Sequence, residues 1–289
     1  MLFSQELELA YSEFEAAGAE KIEIGKTVLG NPIYAFAVGR GDPKIIVQYA
    51  IHAREFITYY LAYRQLLDTA KTLPYGSGTV YFIPAVNIDG ITLILDGINS
   101  IPYEYRPLLN SLCPDGDFSL FKANIRGVDL NVNFDAMWGT GSQNILTPAT
   151  ANFIGYTPNS EPETRALVDF TRKIRPHLTV SYHSKGEVIY YDFHQPLSIR
   201  SSHRKIARVA SKSTSYPIRK TGNSAGGYKD WCISALKIPA LTIEVGEDTL
   251  THPILPINLP AIYQKNAKVI INLLDYLRVI LYNNDKIKI

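Results

Sequence analysis

The order of apolar and polar residues divides the chain into short strands separated by helices. Strands are predicted at 21–28, 32–38, 44–50, 80–86, 177–183, 186–193 and 240–245. Helices are predicted at 4–18, 55–71, 197–213 and 260–282, and from a capping box at 160–163 to about residue 174. A region rich in Gly, Pro and Asn, from about 97 to 160, is predicted as loops. The pattern predicts a single α/β domain over 1–289 with a mostly parallel or mixed sheet.

Candidate metal ligands follow two of the predicted strands. His52 and Glu55 stand where the chain turns from strand 44–50 into a helix, and His183 closes strand 177–183. In open α/β sheets, ligand sites collect at the carboxyl ends of strands. Two histidines and one glutamate, with water in the fourth position, are a common ligand set of catalytic zinc. These residues therefore predict one Zn²⁺ per chain.

Glu244 is the only acid in the apolar run 240–246. A carboxylate in a buried strand is costly unless a polar or cationic partner receives it. Water activated by the metal is such a partner, and the carboxylate is then placed to take its proton. We predict that Glu244 is the general base, with a buried ion pair to an arginine as the alternative.

Six motifs, in order along the chain, resemble those of the M14 metallocarboxypeptidase family. They lie at 24–34, 52–55, 84–90, 127–131, 182–184 and 242–244. The resemblance extends from about 23 to 263, and it implies a mixed eight-stranded sheet between helices. One departure concerns specificity, because Val132 stands where digestive members have an arginine that grips the terminal carboxylate of the substrate.

Longer segments at 122–131, 160–165, 183–190 and 224–231 are similar to bacterial γ-D-glutamyl-meso-diaminopimelate peptidases. The similarity implies hydrolysis of the γ-D-Glu–diaminopimelate bond in peptidoglycan stem peptides, with a peptidoglycan-derived peptide as the binding partner. Members of this branch often carry LysM repeats. None is visible in this sequence, which favours soluble muropeptides over intact cell wall as the substrate.

The same resemblance suggests roles for further residues. Arg126 is a candidate for stabilising the oxyanion, and Arg54 is a second candidate that the family places at a neighbouring substrate subsite. Asn131 is expected to orient a substrate carboxylate, and Asp129 to stand behind the metal site. The residues expected to bind the zwitterionic end of diaminopimelate are Lys185, Glu187, Tyr228 and Lys229. Each of those four equally suits a solvated strand or loop.

Three other functions stay open at this point. The first is a carboxypeptidase that acts on ordinary peptide C-termini. The second is an amidohydrolase of N-acyl amino acids. The third is a metal-binding or muropeptide-binding protein without turnover, which the presence of all three ligands and the base argues against.

Composition and charge narrow the expected partners. The formal net charge is +2, and no run of Lys and Arg is long enough to follow a phosphate backbone, so nucleic acid is not expected. No stretch reaches the roughly 18 apolar residues of a membrane span, and the N-terminus carries acids where a secretory signal is basic. Cys113 and Cys232 are expected to be free thiols. We expect a cytoplasmic protein that does not bind membranes; its oligomeric state is left open.

Overall fold

The apolar runs form one mixed sheet in the computed structural model, which describes residues 1–287. The strands are β1 (Glu20–Lys26), β2 (Pro32–Arg40), β3 (Lys44–Gln48), β4 (Gly78–Ile83), β5 (Leu178–Ser184), β6 (Val188–Tyr190), β7 (Ile218–Arg219) and β8 (Ala240–Val245). Their order across the sheet is β1-β2-β4-β3-β5-β8-β6-β7. The predicted eight-stranded mixed sheet is confirmed. The last two residues of the predicted range 1–289 lie outside the described residues.

The centre of the sheet is parallel. β4, β3, β5 and β8 run in one direction, whereas β2 and β6 run antiparallel to their neighbours in this block. The three central strands β3, β5 and β8 are almost wholly buried. Their apolar continuity is explained by this position, because a parallel strand is covered on both faces. The carboxyl ends of β3, β5 and β8 consequently meet at one edge of the sheet.

Helices cover both faces of the sheet. They are α1 (Phe3–Ala16), α2 (Ile57–Thr72), α3 (Ile88–Asp96), α4 (Arg106–Leu112), α5 (Pro162–Ile174), α6 (Leu197–Thr214), α7 (Tyr228–Leu236), α8 (Leu259–Asn266) and α9 (Val269–Ile287). Consecutive strand residues point to opposite faces. Tyr182 of β5 accepts a hydrogen bond from Gln65 of α2, whereas Thr179 of β5 meets Cys232 of α7.

The region predicted as loops, 97–160, contains α4 and has a small core of its own. This core joins side chains from α3, from α4 and from the loop that follows it, among them Leu93, Leu109, Phe118 and Phe121. Because Ala53 belongs to the same cluster, the region is anchored beside the first metal motif. Helices α3 and α7 were not predicted, and the predicted strand 186–193 is reduced to Val188–Tyr190.

Two predicted details are wrong for local reasons. The capping box at 160–163 does not form, because Ser160 Oγ donates to the side chain of Glu161 and Glu163 Oε1 accepts from the backbone amide of Val28. The helix predicted at 260–282 is broken into α8 and α9. The carbonyl of Asn266, the last residue of α8, accepts a hydrogen bond from the side chain of Gln65. Side chains often satisfy the carbonyl groups that lack a partner at the end of a helix.

The structure bears on the expected free thiols and on the expected absence of a membrane span. Cys113 and Cys232 are both buried and unpaired. Within residues 1–287, no helix combines the length and the apolar composition that crossing a bilayer requires.

Candidate metal centre

The parallel strands bring the predicted ligands to one point. His52 follows β3, and His183 is the penultimate residue of β5. The register of β5 and β8 places His183 directly opposite Glu244. Side chains that face each other across neighbouring strands point to the same side of the sheet. Glu55 reaches the same place because a single turn of 3₁₀ helix, Ala53–Glu55, returns its side chain toward His52.

The three predicted ligands converge through one atom each. Nδ1 of His52 lies 2.9 Å from Oε1 of Glu55, and Nδ1 of His183 lies 3.1 Å from Oε2 of the same carboxylate. The two Nδ1 atoms are 3.1 Å apart, and all three side chains are buried. Two imidazole nitrogens at this distance cannot both carry a proton. A cation between the three groups would satisfy all of them.

The spacing of these atoms suits zinc. Zinc binds imidazole nitrogen and carboxylate oxygen at about 2.0–2.2 Å in tetrahedral geometry, which separates its ligand atoms by roughly 3.3 Å. The observed separations of 2.9–3.1 Å are close to that value. Among the described residues, His52, Glu55 and His183 form a His/Glu/His group able to hold a metal ion.

Asp129 contacts the second ring nitrogen of His52, Nε2. Its Oδ1 lies 3.2 Å from Nε2 of His52, and its Oδ2 lies 2.8 Å from the ammonium of Lys122. Burial alone would raise the pKa of the Asp129 carboxyl, but the charges of Lys122 and His52 outweigh it and bring this pKa well below its ordinary value. An ionised Asp129 fixes the Nε2–H tautomer of His52, which leaves Nδ1 free for the metal.

Lys122 is a site residue that the sequence prediction missed. Its side chain lines the metal cavity together with Glu244 and the ligands, and it also lines the neighbouring cavity described below. Burial disfavours its charge, yet Asp129 and Glu55 outweigh burial and raise the pKa of Lys122. The group is therefore an ammonium ion beside the candidate metal ligands. The only signal in the sequence was a second basic residue in the motif that contains Arg126.

Glu244 faces the same cavity and is only partly exposed. Burial raises the pKa of its carboxyl to about 7; His183 opposes this rise and Glu55 adds to it. A general base is most effective when its pKa lies near the working pH. A cation bound to the three ligands would counteract the effect of burial and lower the pKa of Glu244, so that its carboxyl is ionised at neutral pH.

A second cavity of about 530 Å³ continues from Glu244 away from the metal ligands. Lys122, Lys220 and Lys229 contribute three ammonium groups to its lining, and Asn131 and Val132 form part of one wall. This wall depends on a glycine. Gly226 has φ +85°, and a Cβ there would come within 2.6 Å of the carbonyl oxygen of Val132. Only glycine allows the loop before α7 to lie this close.

The predicted substrate-binding residues, together with the predicted oxyanion stabiliser Arg126, divide into two groups. Asn131, Lys229, Arg54 and Lys185 line one or both cavities. Asn131 is held in place because its Oδ1 accepts a hydrogen bond from the backbone amide of residue 228. Lys229 is 6% exposed, and its ammonium donates to Asp230 and to the carbonyl of Asp192.

The other three predicted residues do not reach either cavity. Arg126 is turned outward and pairs with Glu161 at 3.6 Å, so it does not face the reaction centre. Glu187 binds Lys265 of α8 at 2.6 Å. Tyr228 is fully buried at the start of α7, where its hydroxyl lies 2.6 Å from Thr171 Oγ1. We therefore assign none of these three a contact with substrate.

The fold and the arrangement of His52, Glu55 and His183 are those of the zinc carboxypeptidase type. The sequence profile of the family Peptidase M14, zinc carboxypeptidase, matches residues 13–267, and the chain belongs to this family. Gamma-D-glutamyl-L-diamino acid endopeptidase 1 of Lysinibacillus sphaericus is 32% identical over 251 residues, which cover 80% of this chain and 61% of that protein. The chain thus spans less than two thirds of the length of this relative.

Solved structures of the family share the fold. Bovine thrombin-activatable fibrinolysis inhibitor, in complex with tick carboxypeptidase inhibitor, matches with a TM-score of 0.75 at 19% identity, over 94% of this chain and 96% of that one. Murein-tripeptide amidase MpaA from Escherichia coli O157 matches with a TM-score of 0.58 at 21% identity, over 89% and 91% of the two chains.

Proposed function

We propose that this protein is a zinc metallopeptidase that hydrolyses the bond between γ-D-Glu and meso-diaminopimelate in peptidoglycan stem peptides. The observation that carries the proposal is the cavity beside Glu244, which holds three lysines but has Val132 where digestive relatives have a carboxylate-gripping arginine. The named activity of the Lysinibacillus sphaericus relative, on γ-D-glutamyl-L-diamino acid bonds, supports the same substrate class.

The cavity suits diaminopimelate as the leaving group. This amino acid carries one carboxylate next to the scissile amide and a second carboxylate, with an amine, at its far end. Lys122 and Lys229 are paired with Asp129 and Asp230, whereas Lys220 is exposed and has no ion pair among the described residues, so Lys220 offers positive charge beyond the reaction centre. Asn131 lines both cavities and is placed to orient the nearer carboxylate. A leaving group with two carboxylates complements this lining better than one with an apolar side chain.

Residues of the chain supply the proton transfer and the charge stabilisation. His52, Glu55 and His183 would hold the zinc ion, which would provide Lewis-acid chemistry at a carbonyl group and would lower the pKa of water. Glu244 takes the proton of the attacking water and later gives it to the departing amine. Lys122 takes the role first expected of Arg126, because its ammonium lies in the cavity where negative charge develops on the carbonyl oxygen.

The test is hydrolysis of L-Ala-γ-D-Glu-meso-diaminopimelate by the zinc-loaded protein, followed by mass spectrometry. We expect release of free diaminopimelate. The L-lysine analogue, which lacks only the distal carboxylate, should be cleaved about 10–100-fold more slowly, because a charged donor left without its partner costs about 1.5–3 kcal/mol. Lys220→Met should reduce this preference for diaminopimelate, since it removes the lysine of the cavity that has no acidic partner among the described residues.

Glu244→Gln is the control for turnover. This variant should bind zinc as the wild type does but lose activity by orders of magnitude. Failure of the wild type to cleave the diaminopimelate peptide would remove the proposed substrate. Release of C-terminal residues from ordinary peptides would then favour a conventional carboxypeptidase, and cleavage of N-acyl amino acids would favour an amidohydrolase. We further propose a cytoplasmic site of action, on the ground that both cysteines are unpaired.

A further inference from the structure

Arg54 is a cation without a partner next to the metal ligands. Its backbone is fixed, since its amide donates to the carbonyl of Phe121 at 3.0 Å, and its side chain is partly buried in the lining of the metal cavity. Within residues 1–287, its guanidinium makes no hydrogen bond or ion pair, and its Nε is buried without an acceptor. A buried donor without a partner costs about 1–3 kcal/mol. An arginine kept in this state points to an anionic ligand.

Two neighbouring side chains also offer donors to this part of the cavity. His252 lines it and has a buried Nδ1 without a hydrogen-bond partner among the described residues. Lys185 lines it as well, with its ammonium held by Asp248. The two acids of the cavity, Glu55 and Glu244, already serve as ligand and base. Neither forms an ion pair with the Arg54 guanidinium.

These donors line the metal cavity and are absent from the lining of the three-lysine cavity. Lys122, Asn131, Tyr190 and Glu244 line both cavities, whereas Arg54, Lys185 and His252 line only the metal cavity. The proposed function places the leaving diaminopimelate in the three-lysine cavity, and Glu244, which lines both cavities, lies where the scissile bond would be. The acyl part of the substrate consequently lies on the side of Arg54.

We propose that Arg54, assisted by His252, binds a carboxylate on the acyl side of the scissile bond, namely the free α-carboxylate of a γ-linked glutamyl residue. This inference rests on the proposed function and names the group on the acyl residue that Arg54 recognises. The α-carboxylate is four single bonds, or roughly 5 Å, from the scissile carbonyl carbon. An α-linked peptide has a carboxylate at this distance only where the residue before the scissile bond is itself glutamate. The planar guanidinium is suited to bind a carboxylate through two parallel hydrogen bonds.

The experiment compares two peptides that differ only at this group. One is L-Ala-γ-D-Glu-meso-diaminopimelate, and the other carries a carboxamide in place of the glutamyl α-carboxylate. The wild type should cleave the carboxylate peptide with a kcat/KM about 10–100-fold higher. Arg54→Gln should lose this factor on the carboxylate peptide and change the carboxamide peptide less than about threefold. Arg54→Lys should recover part of it, because it restores the charge without the planar fork.

A binding measurement separates the inference from turnover. Calorimetric titration of both peptides into Glu244→Gln, with and without zinc, should show tighter binding of the carboxylate peptide. The double variant with Arg54→Gln should not discriminate. Arg208→Gln is the matched control, because Arg208 is exposed on α6 and lines neither cavity.

The outcomes distinguish the two proposals. If Arg54→Gln reduces cleavage of both peptides equally, or leaves the preference intact, the carboxylate role of Arg54 is refuted while the peptidase activity stands. If the wild type cleaves neither peptide, the proposed function fails. The titrations then decide the inference alone: a preference that depends on Arg54 supports it, and equal or absent binding of the two peptides overturns it.

Discussion

Replacement of Asp129 by asparagine tests whether the metal site depends on its supporting carboxylate. Asp129 is fully buried and receives donors from His52, from Lys122 and from the backbone amides of Asn131 and Asn152. Asparagine preserves the shape and can accept some of these hydrogen bonds. It removes the negative charge of Asp129, which fixes the tautomer of His52 and balances the positive charge of Lys122.

The structure sets the size of two separate effects. Loss of one partner of a buried ion pair costs about 3–5 kcal/mol. Because the side chain of Lys122 is 18% exposed, we expect the lower end, about 3 kcal/mol, in the free energy of unfolding. For a chain of this size this corresponds to roughly 5–10 °C in Tm. Loss of a carboxylate behind a metal-bound histidine weakens zinc binding by about 10–100-fold.

Both effects can be measured on the same protein. Urea denaturation of the zinc-free chain reports the stability, and competition with a chelator of known affinity reports the zinc dissociation constant. Asp135→Asn is the matched control, because Asp135 is exposed and its carboxylate makes no hydrogen bond among the described residues. A variant that is less stable but binds zinc as tightly as the wild type would refute the assignment of Asp129 as the support of His52.

Three further predictions concern other parts of the chain. Lys122→Gln should lower kcat by about 10²–10³-fold and change KM less than about threefold, because Lys122 is proposed to stabilise negative charge that develops only in the transition state. An equally large loss in substrate binding would argue against this role. Burial raises the pKa of Glu163 to about 8, so the folded chain keeps this proton between about pH 4.5 and 8 and loses stability as the pH rises through that range. Glu163→Gln should therefore gain stability relative to the wild type from pH 5 to 9, on the order of 1–2 kcal/mol in urea unfolding, whereas parallel pH profiles would contradict the assignment. Tyr228→Phe should lower the free energy of unfolding by about 1 kcal/mol, through loss of the bond to Thr171, and leave KM unchanged, since a changed KM would mean that the hydroxyl reaches substrate.

The convergence of the candidate metal ligands was predictable because strand geometry determines their positions. His52 and His183 each stand at the carboxyl end of a buried apolar run, and parallel strands align these ends at one edge. Glu244 was recognisable as the only acid in such a run. At these positions the local sequence pattern is sufficient to predict which side chains come together.

Side-chain direction in irregular segments was not predictable in this way. Lys122 and Arg126 belong to one motif, and the turn between them decides which side chain points inward. That turn depends on Asn124, whose side chain accepts hydrogen bonds from the amides of residues 126 and 128, and on Gly127 with φ +72°. Counting residues back from Asn131 selected Arg126, which the turn directs to solvent.

Long-range contacts explain the remaining differences. The role expected for Glu187 depended on a free carboxylate, but Lys265 on a distant helix occupies it. Tyr228 was expected in a strand or loop. It begins the nine-residue helix α7 instead, where its ring packs 5.4 Å from that of Phe134 and 6.2 Å from that of Trp231. Neither the distant partner nor so short a helix leaves a periodic signal in the local sequence.

Zinc K-edge X-ray absorption of the purified chain, combined with metal analysis, tests the metal centre most directly. The structure predicts one zinc ion per chain, with two imidazole nitrogens at about 2.0–2.1 Å and oxygen ligands at about 2.0–2.2 Å. His183→Ala should remove most of the bound zinc and the corresponding imidazole scattering. Zinc bound in full by that variant, or no zinc bound by the wild type at any loading, would contradict a site built from His52, Glu55 and His183.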